Sequence, residues 1–400
     1  MFVLEVCIHL IFFCLLENFV EIVLVSKNAP RGSHCGGAEN VADATRRRRR
    51  MSQATFFIQK RLCKGPAPGL PEKEVIMTEI MRKESNLNTM EGRSFTELIP
   101  EFLIAIDHGW SSIKTPSIIF ENGITELQTM PATKDNLLEF RGRKYVIGQG
   151  RMGKQETKTE NENYYLLTLA AIAKELRKRT GAKVVKVNLA VGVSLTLYGK
   201  EKKEFKNYLR ANDKVSFYYE GDRYVVHFGK VRVFAQCHAA IANRMEGMDR
   251  LTAVDCGSWT LDIMSVVNKV PVLDECHTYQ QGLITAIDRI QKECIAKYGK
   301  EVPEYIINEV IETGDTNAIA KNKESIMDTI NAGLKRYALE VEAKLRELKI
   351  DFDFTNVVYV GGGAGVMRRF GSCTGENVRY VTDVRANALG YQYLAQNLEV

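Results

Sequence analysis

The sequence predicts an α/β protein of two similar domains that face one another across a cleft. Three observations carry that expectation. An apolar run, Phe102-Leu103-Ile104-Ala105-Ile106, ends in Asp107-His108-Gly109 and is followed by Trp110, Ser111, Ser112 and Lys114. The same grammar returns 148 residues later, where Val254-Asp255-Cys256-Gly257 leads through Ser258, Trp259 and Thr260 into an alternating apolar segment. Each is a strand, a tight turn and a returning strand, and a duplicated unit at that distance implies duplicated domains. The third is Val357-Val358-Tyr359-Val360 running into Gly361-Gly362-Gly363, a buried strand opening on a glycine loop.

The bulk properties agree with a soluble globular protein. Of 400 residues, 45% are hydrophobic and 26% charged, enough for two ordinary cores. The formal net charge is +6. Residues 1–90 hold thirteen Lys and Arg against nine Asp and Glu, so most of the excess lies there and the remainder is nearly neutral. That balance argues against a dedicated nucleic-acid surface. The nine cysteines form no CxxC pair and no metal-ligand spacing, the pattern of a reduced, cytoplasmic protein. Cys256 has no base beside it in sequence and is read as a packing residue.

Residues 1–97 read as a leader, disordered or the product of a start placed too far upstream, with Met77, Met81 and Met90 as alternative starts. The apolar run Val6–Leu16 is too short to span a membrane, and Glu5 precedes it where a secretory signal carries positive charge. No membrane attachment is expected. The block Arg46–Arg50 has the charge to touch nucleic acid or anionic lipid, or to remain solvated.

From residue 98 the elements follow in order. Ile118–Phe120, Glu126–Met130 and the pair around Arg141-Gly142 predict a short β-meander. Glu162–Thr180 has helical apolar spacing and a stop at Gly181. Val184–Val193 predicts a core strand and Lys200–Arg210 a charged helix. Alternating segments follow at 214–219, 223–228 and 231–234, the last passing through Gln236 into an alanine-rich helix. After the second loop, strands at 261–267 and 270–275 lead to Gly282 and a helix to about Tyr298. Gly282 is expected to let a base or ribose approach the backbone. Pro303–Glu312 predicts a short helix and Lys323–Leu348 a long amphipathic one. Asp383 is read as the N-cap of a terminal helix containing Ala386-Asn387-Ala388 and Gly390.

The chemistry of the two turns is that of phosphate and Mg2+: carboxylates for the metal's water shell, with hydroxyl and amide donors for oxygens. The ordered set Asp107-x-Gly109…Lys114, Gln236, Asp255-x-Gly257-Ser258-x-Thr260, Gly282, Gly361–Gly363 and Ala386-Asn387-Ala388-x-Gly390 resembles the actin/Hsp70/sugar-kinase ATPase superfamily. Within it, residues 100–400 are most similar to the ParM/StbA-type bacterial actin-like ATPases of plasmid partition. The resemblance implies an actin-like fold, with two ribonuclease-H-like domains around a nucleotide cleft. Residues 98–250 would form the first domain and 251–385 the second, with the helix at about 386–400 packing back on the first.

By the same resemblance, ATP (or GTP) and Mg2+ would be the cofactors. Lys114 and Gly109 would meet the phosphates, and Asp107 and Asp255 would hold Mg2+ through water. Gly257, Ser258 and Thr260 would donate to phosphate oxygens. Gln236 would sit near the attacking water, while Gly282, Gly361, Gly362 and Gly363 would line the adenosine. The bulky Trp259 stands where small residues are usual, so its side chain is expected to project away from the phosphates. The implied activity is slow ATP hydrolysis coupled to self-assembly into filaments, in the cytoplasm, with a DNA-binding adaptor on a plasmid centromere and no direct nucleic-acid contact. A small-molecule kinase or a membrane-attached scaffold on the same fold are the alternatives. A kinase needs a catalytic carboxylate beside a second substrate pocket, and the sequence assigns none.

Overall fold

A computed structural model of the protein describes residues 99–153 and 155–397. The leader expectations, from Val6–Leu16 through Arg46–Arg50 to the alternative starts, lie outside these residues.

Two sheets organise the described chain. The first contains β1 (Glu101–His108), β2 (Ser112–Lys114), β3 (Ile119–Glu121), β4 (Ile124–Leu127), β5 (Leu137–Phe140), β6 (Arg143–Ile147), β7 (Val184–Val193), β8 (Lys214–Tyr219) and β9 (Asp222–Ala235), in the order β3-β2-β1-β7-β9-β8-β5-β6-β4. The second contains β10 (Arg250–Cys256), β11 (Leu261–Val267), β12 (Val270–Tyr279), β13 (Asn356–Val360) and β14 (Val378–Tyr380), in the order β12-β11-β10-β13-β14. The duplication seen in the sequence is therefore a duplicated topology. In each sheet three successive strands form an antiparallel meander, and the next two long-range partners add in parallel on the other side of the first strand. A parallel neighbour demands a crossover. Helix α1 (Asn163–Arg179) supplies it in the first domain. In the second, α4 (Leu283–Tyr298), α5 (Glu304–Thr313) and α6 (Lys323–Glu347) intervene before β13, and the short α7 (Ala364–Phe370) before β14.

These helices form where the sequence buries a face. Along α1 every residue from Tyr164 to Ala173 is buried, so it is a core helix and not a surface one. It stops at Gly181, whose φ of +71° lets its N–H and that of Thr180 both reach the Leu176 carbonyl. With α2 (Tyr198–Leu209) it covers one face of the first sheet, where Phe205 and Leu209 join the core. In α6 the stripe Ile330, Leu334, Tyr337, Val341 and Leu345 is fully buried against α4, α5 and the second sheet.

The remaining faces of both sheets are covered by the same two elements, the single turn α3 (His238–Ile241) and α8 (Ala386–Asn397). Ala239, Tyr391 and Ala395 pack on Ala105 and Ala190 of the first sheet. Cys237, Ala240, Ile241 and Ala386 pack on Leu251, Ala253, Val358 and Val360 of the second. Small residues set this spacing. A Cβ on Gly390 would fall 1.8 Å from the Ala239 carbonyl oxygen, and one on Gly192 would fall 1.9 Å from the Tyr391 hydroxyl. The helix pair is thus the joint between the domains.

Three local expectations change. The segments 223–228 and 231–234 are one strand, β9, with a register shift against β7 between Val187 and Leu189. There the Asn188 carboxamide accepts the Lys230 N–H and fills the space a side chain at Gly229 would need. The alanine-rich helix is one turn, because Cys237 enters it at φ +65° and the chain turns again at Gly247, φ +73°. Asp383 does not cap α8 directly, since the helix begins at Ala386; its carboxylate accepts the Arg385 N–H at 2.9 Å, an Asx turn before the helix.

Candidate nucleotide site

Strand alternation decides which way each turn residue points. Along β1, His108 faces the α1 side, where it is 1% exposed and its Nε2 lies 2.8 Å from the Thr168 hydroxyl. Asp107 faces the opposite way, toward α8. Along β10, Cys256 faces α6 and is fully buried near Tyr337, a packing position as expected. Asp255 again faces α8. The period of two therefore aims both aspartates at the joint between the domains.

There the predicted residues assemble with partners from distant sequence. Lys114 lies opposite Asp107 in the β1–β2 register and places its ammonium 3.6 Å from Asp107 Oδ2. Gly109 makes this return possible: a Cβ there would sit 2.7 Å from the Lys114 nitrogen and 2.7 Å from the Ser112 carbonyl. Gln236 donates its Nε2–H to Asp107 Oδ1 at 2.8 Å. Asn387 donates to Asp255 Oδ2 at 2.9 Å and accepts the Cys237 N–H at 3.0 Å. One asparagine of α8 thus ties the second aspartate to the residue following Gln236. The Tyr391 hydroxyl reaches Asp107 Oδ1 at 3.5 Å.

Three positions of the second loop make contacts within the protein. Gly257 gives its N–H to the Thr260 carbonyl at 3.0 Å. The Thr260 hydroxyl donates to Asp262 Oδ2 at 2.9 Å, which makes it a support for that carboxylate in this structure. Gly282 packs tightly on the loop: a Cβ would lie 2.3 Å from the Ser258 carbonyl oxygen, so only glycine fits there. The carbonyls of Gly257, Ser258 and Trp259 accept the N–H groups of Leu283, Ile284 and Gly282, closing the start of α4. The glycine triple also divides. Gly361, at φ +82°, and Gly363 press on Asp255 and Cys256, whereas Gly362 has open space where a side chain would be.

The electrostatics single out the joint. Asp255 and Asp262 are paired across the β10–β11 ladder and both are buried. Burial, then the neighbouring Asp262 charge, pushes the Asp255 carboxyl up to about 7. Burial likewise raises Asp262, which Thr278 and Thr260 partly offset by hydrogen bonds. Lys158, in the connection between β6 and α1, is pushed down to about 8 by burial, against the pull of Asp107. Neither Asp262 nor Lys158 stood out in sequence. Asp262 is one polar residue in an alternating strand, and Lys158 lies in a polar stretch without periodicity.

At the rim, Trp259 lies against Trp110 of the first loop, ring centroids 5.1 Å apart, and both pack on the core of the second domain. Arg151 stacks 4.6 Å above the Trp110 ring and forms an ion pair with Glu304 at the start of α5. Trp259 thus groups with these rim residues, and the Asp107–Lys114–Gln236–Asp255–Asn387 cluster forms without it.

Residues 102–238 match the family model "Actin like proteins N terminal domain", and residues 253–370 match "Archaeal actin homologue MreB-like, C-terminal". The chain belongs to the actin-like proteins. The first match holds Asp107, Lys114 and Gln236, the second Asp255, Gly282 and the glycine triple. A crystal structure of an archaeal actin homologue in complex with ADP superposes with a TM-score of 0.58 at 18% identity, covering 74% of this chain and 99% of that one. The Alp12 filament structure gives 0.56 at 18% identity, over 75% and 99%. Bacillus thuringiensis ParM with ATP gives 0.54 at 16% identity, over 74% and 98%. At these identities the likeness establishes the shared actin-like fold. No curated protein sequence matches. Among the described residues of this actin-like protein, no helix is long and apolar enough to cross a membrane.

Proposed function

We propose that the joint cluster binds ATP with Mg2+ between the two Asp-x-Gly loops, hydrolyses it slowly, and couples that cycle to filament assembly. The observation that carries the reading is the convergence of Asp107, Lys114, Gln236 and Asp255, drawn from three strands and a turn of both domains, onto one point at the carboxyl ends of β1 and β10. Ligands of open α/β sheets bind at that end of the strands.

The donor set fits Mg2+ held through water. Two buried carboxylates face the same joint, and the upward shift of Asp255 marks unneutralised negative charge that a cation would relieve. Among the described residues no three His, Cys, Asp or Glu side chains converge on a metal position. That suits an ion that keeps its waters and takes further oxygens from phosphate. When bound, Mg2+ would neutralise charge on the phosphates. The protein's own part is positional. Lys114 and Ser258 supply donors for phosphate oxygens. Asp107 fixes the Gln236 carboxamide, which is placed to orient a water. Asn387 holds Asp255 in register with that glutamine. Gly362 keeps one side of the site open for the nucleoside. Catalysis of phosphoryl transfer to water needs mainly such positioning and electrostatic preorganisation.

The filament reading draws on solved structures of similar fold, since the Alp12 structure is a filament and its match covers 75% of this chain. In the ParM-like role the polymer would separate plasmid copies through a DNA-binding adaptor, in the cytoplasm. Pelleting with Mg-ATP tests assembly. Polymer is expected with ATP and should dissolve as ATP is consumed, and absence of any pellet up to tens of micromolar protein would exclude the filament reading. Gln236→Ala should still assemble but persist longer, with phosphate release slowed by about 10²- to 10³-fold, the loss when one positioned polar group is removed. Filaments that turn over at the wild-type rate would remove Gln236 from the hydrolytic machinery.

A further inference from the structure

Resting on that nucleotide reading, we propose that Lys158 recognises the terminal phosphate and so distinguishes a nucleoside triphosphate from a diphosphate. Lys158 belongs to the segment that leaves the outer meander after β6 and returns to the joint before α1. Its ammonium donates 2.8 Å to the carbonyl oxygen of Gly192, near the carboxyl end of β7. β7 is the parallel neighbour of β1, in register through Ile106 and Val191, so Gly192 stands beside Asp107. On its other side the ammonium lies 5.7 Å from the Phe205 ring centre.

The bond that holds this cation goes to a neutral carbonyl, while its longer-range attractions run to Asp107 of the first domain, then to Glu201 on α2 and to Asp262 of the second domain. The side chain is half-buried, and its ammonium has a backbone oxygen, not a carboxylate, as its close partner, a pairing that leaves most of its charge uncompensated. Lys114 is already placed against Asp107 and the Ser112 carbonyl. The joint therefore presents two lysines, one engaged by a carboxylate and one by a backbone oxygen. The second can exchange that oxygen for a phosphate oxygen without breaking an ion pair. A ligand between Asp107 and Asp255 would bring its most highly charged end nearest to this position. Glu204, near Glu201 on α2, binds the neighbouring Thr159, which fixes the segment from behind.

The test is calorimetric titration of the full chain with Mg-ATP and, separately, Mg-ADP, on wild type, Lys158→Gln and Lys158→Arg, together with the thermal midpoint of each nucleotide-free protein. Lys158→Gln should weaken ATP binding by about 10- to 100-fold, the span for one charge-assisted hydrogen bond. ADP binding should stay within about twofold of wild type, and Lys158→Arg should restore most of the preference. Equal weakening of both nucleotides by Lys158→Gln would show a strap that merely holds the segment, and would overturn the proposal, as would no change in either. Wild-type protein that binds neither nucleotide would instead overturn the reading of the joint as a nucleotide site, and this proposal with it.

Discussion

Asp255→Asn should nearly abolish ATP hydrolysis while making the nucleotide-free protein more stable. The two effects share one cause. Asp255 is a carboxyl 6% exposed, ladder-paired with Asp262, so its charge is costly in the empty joint. Its folded pKa of about 7 lies above the ordinary value of 3.8. A carboxyl raised in this way favours the native state at low pH. That contribution is complete below about pH 4 and is lost as pH rises through about 7. Asparagine removes the charge and can still accept the Asn387 N–H through its own carbonyl. The advantage of the variant in thermal midpoint should thus be small at acid pH and grow toward neutrality. Hydrolysis should fall by about 10²- to 10³-fold, the loss seen when one preorganised electrostatic group is removed. Differential scanning fluorimetry across pH and a phosphate-release assay check the two halves. A variant less stable than wild type at neutral pH would show that Asp255 is held by contacts, not strained by its charge.

Gly361→Ala is expected to damage both stability and binding, and Gly362→Ala neither fold nor midpoint. Gly361 has φ +82°, a conformation costing an L-residue about 1–2 kcal/mol, and its added Cβ would lie 2.4 Å from Asp255 Oδ1. Overpacking of that kind costs about 1–3 kcal/mol more. Together these correspond to a fall of roughly 3–6 °C in midpoint for a chain of this size. Asp255 would be displaced, so Mg-ATP affinity should fall as well. Gly362 is the neighbour with nothing within 4 Å of an added Cβ, so Gly362→Ala should hold its midpoint within about 1 °C. If that alanine weakens nucleotide binding alone, the open side at Gly362 faces the ligand. Equal midpoints for the two variants would contradict the division of the triple.

Much of this was legible in the sequence because it is written locally. An apolar strand ending in Asp-x-Gly, twice, fixes two aspartates at strand ends. Alternation then says that Asp and the following residue face opposite ways. Gly181 and the apolar stripe of α6 likewise announce their own helix. Other features depend on what meets in space. Asn387 sits in a terminal helix and gains its role only because that helix lies between both sheets. Gly282 is glycine partly because the 257–259 loop returns onto the side where a Cβ would stand. The hydrogen bond from Thr260 to Asp262, two residues on, shows only once both are seen on the same face of the hairpin. β14 has three residues, too short for a periodicity, and β9 hides its bulge because the compensating Asn188 lies on another strand. Lys158 had no local signal at all.

The central claim, that nucleotide binds between the two Asp-x-Gly loops, can be read from intrinsic fluorescence. The chain has two tryptophans, Trp110 and Trp259, one on each loop and in contact across the rim. Titrating the protein with Mg-ATP should give a saturable change in tryptophan emission, and the combined Asp107→Asn, Asp255→Asn variant should remain flat over the same range. Wild-type emission that does not change up to millimolar Mg-ATP, or a variant that responds as wild type does, would contradict it.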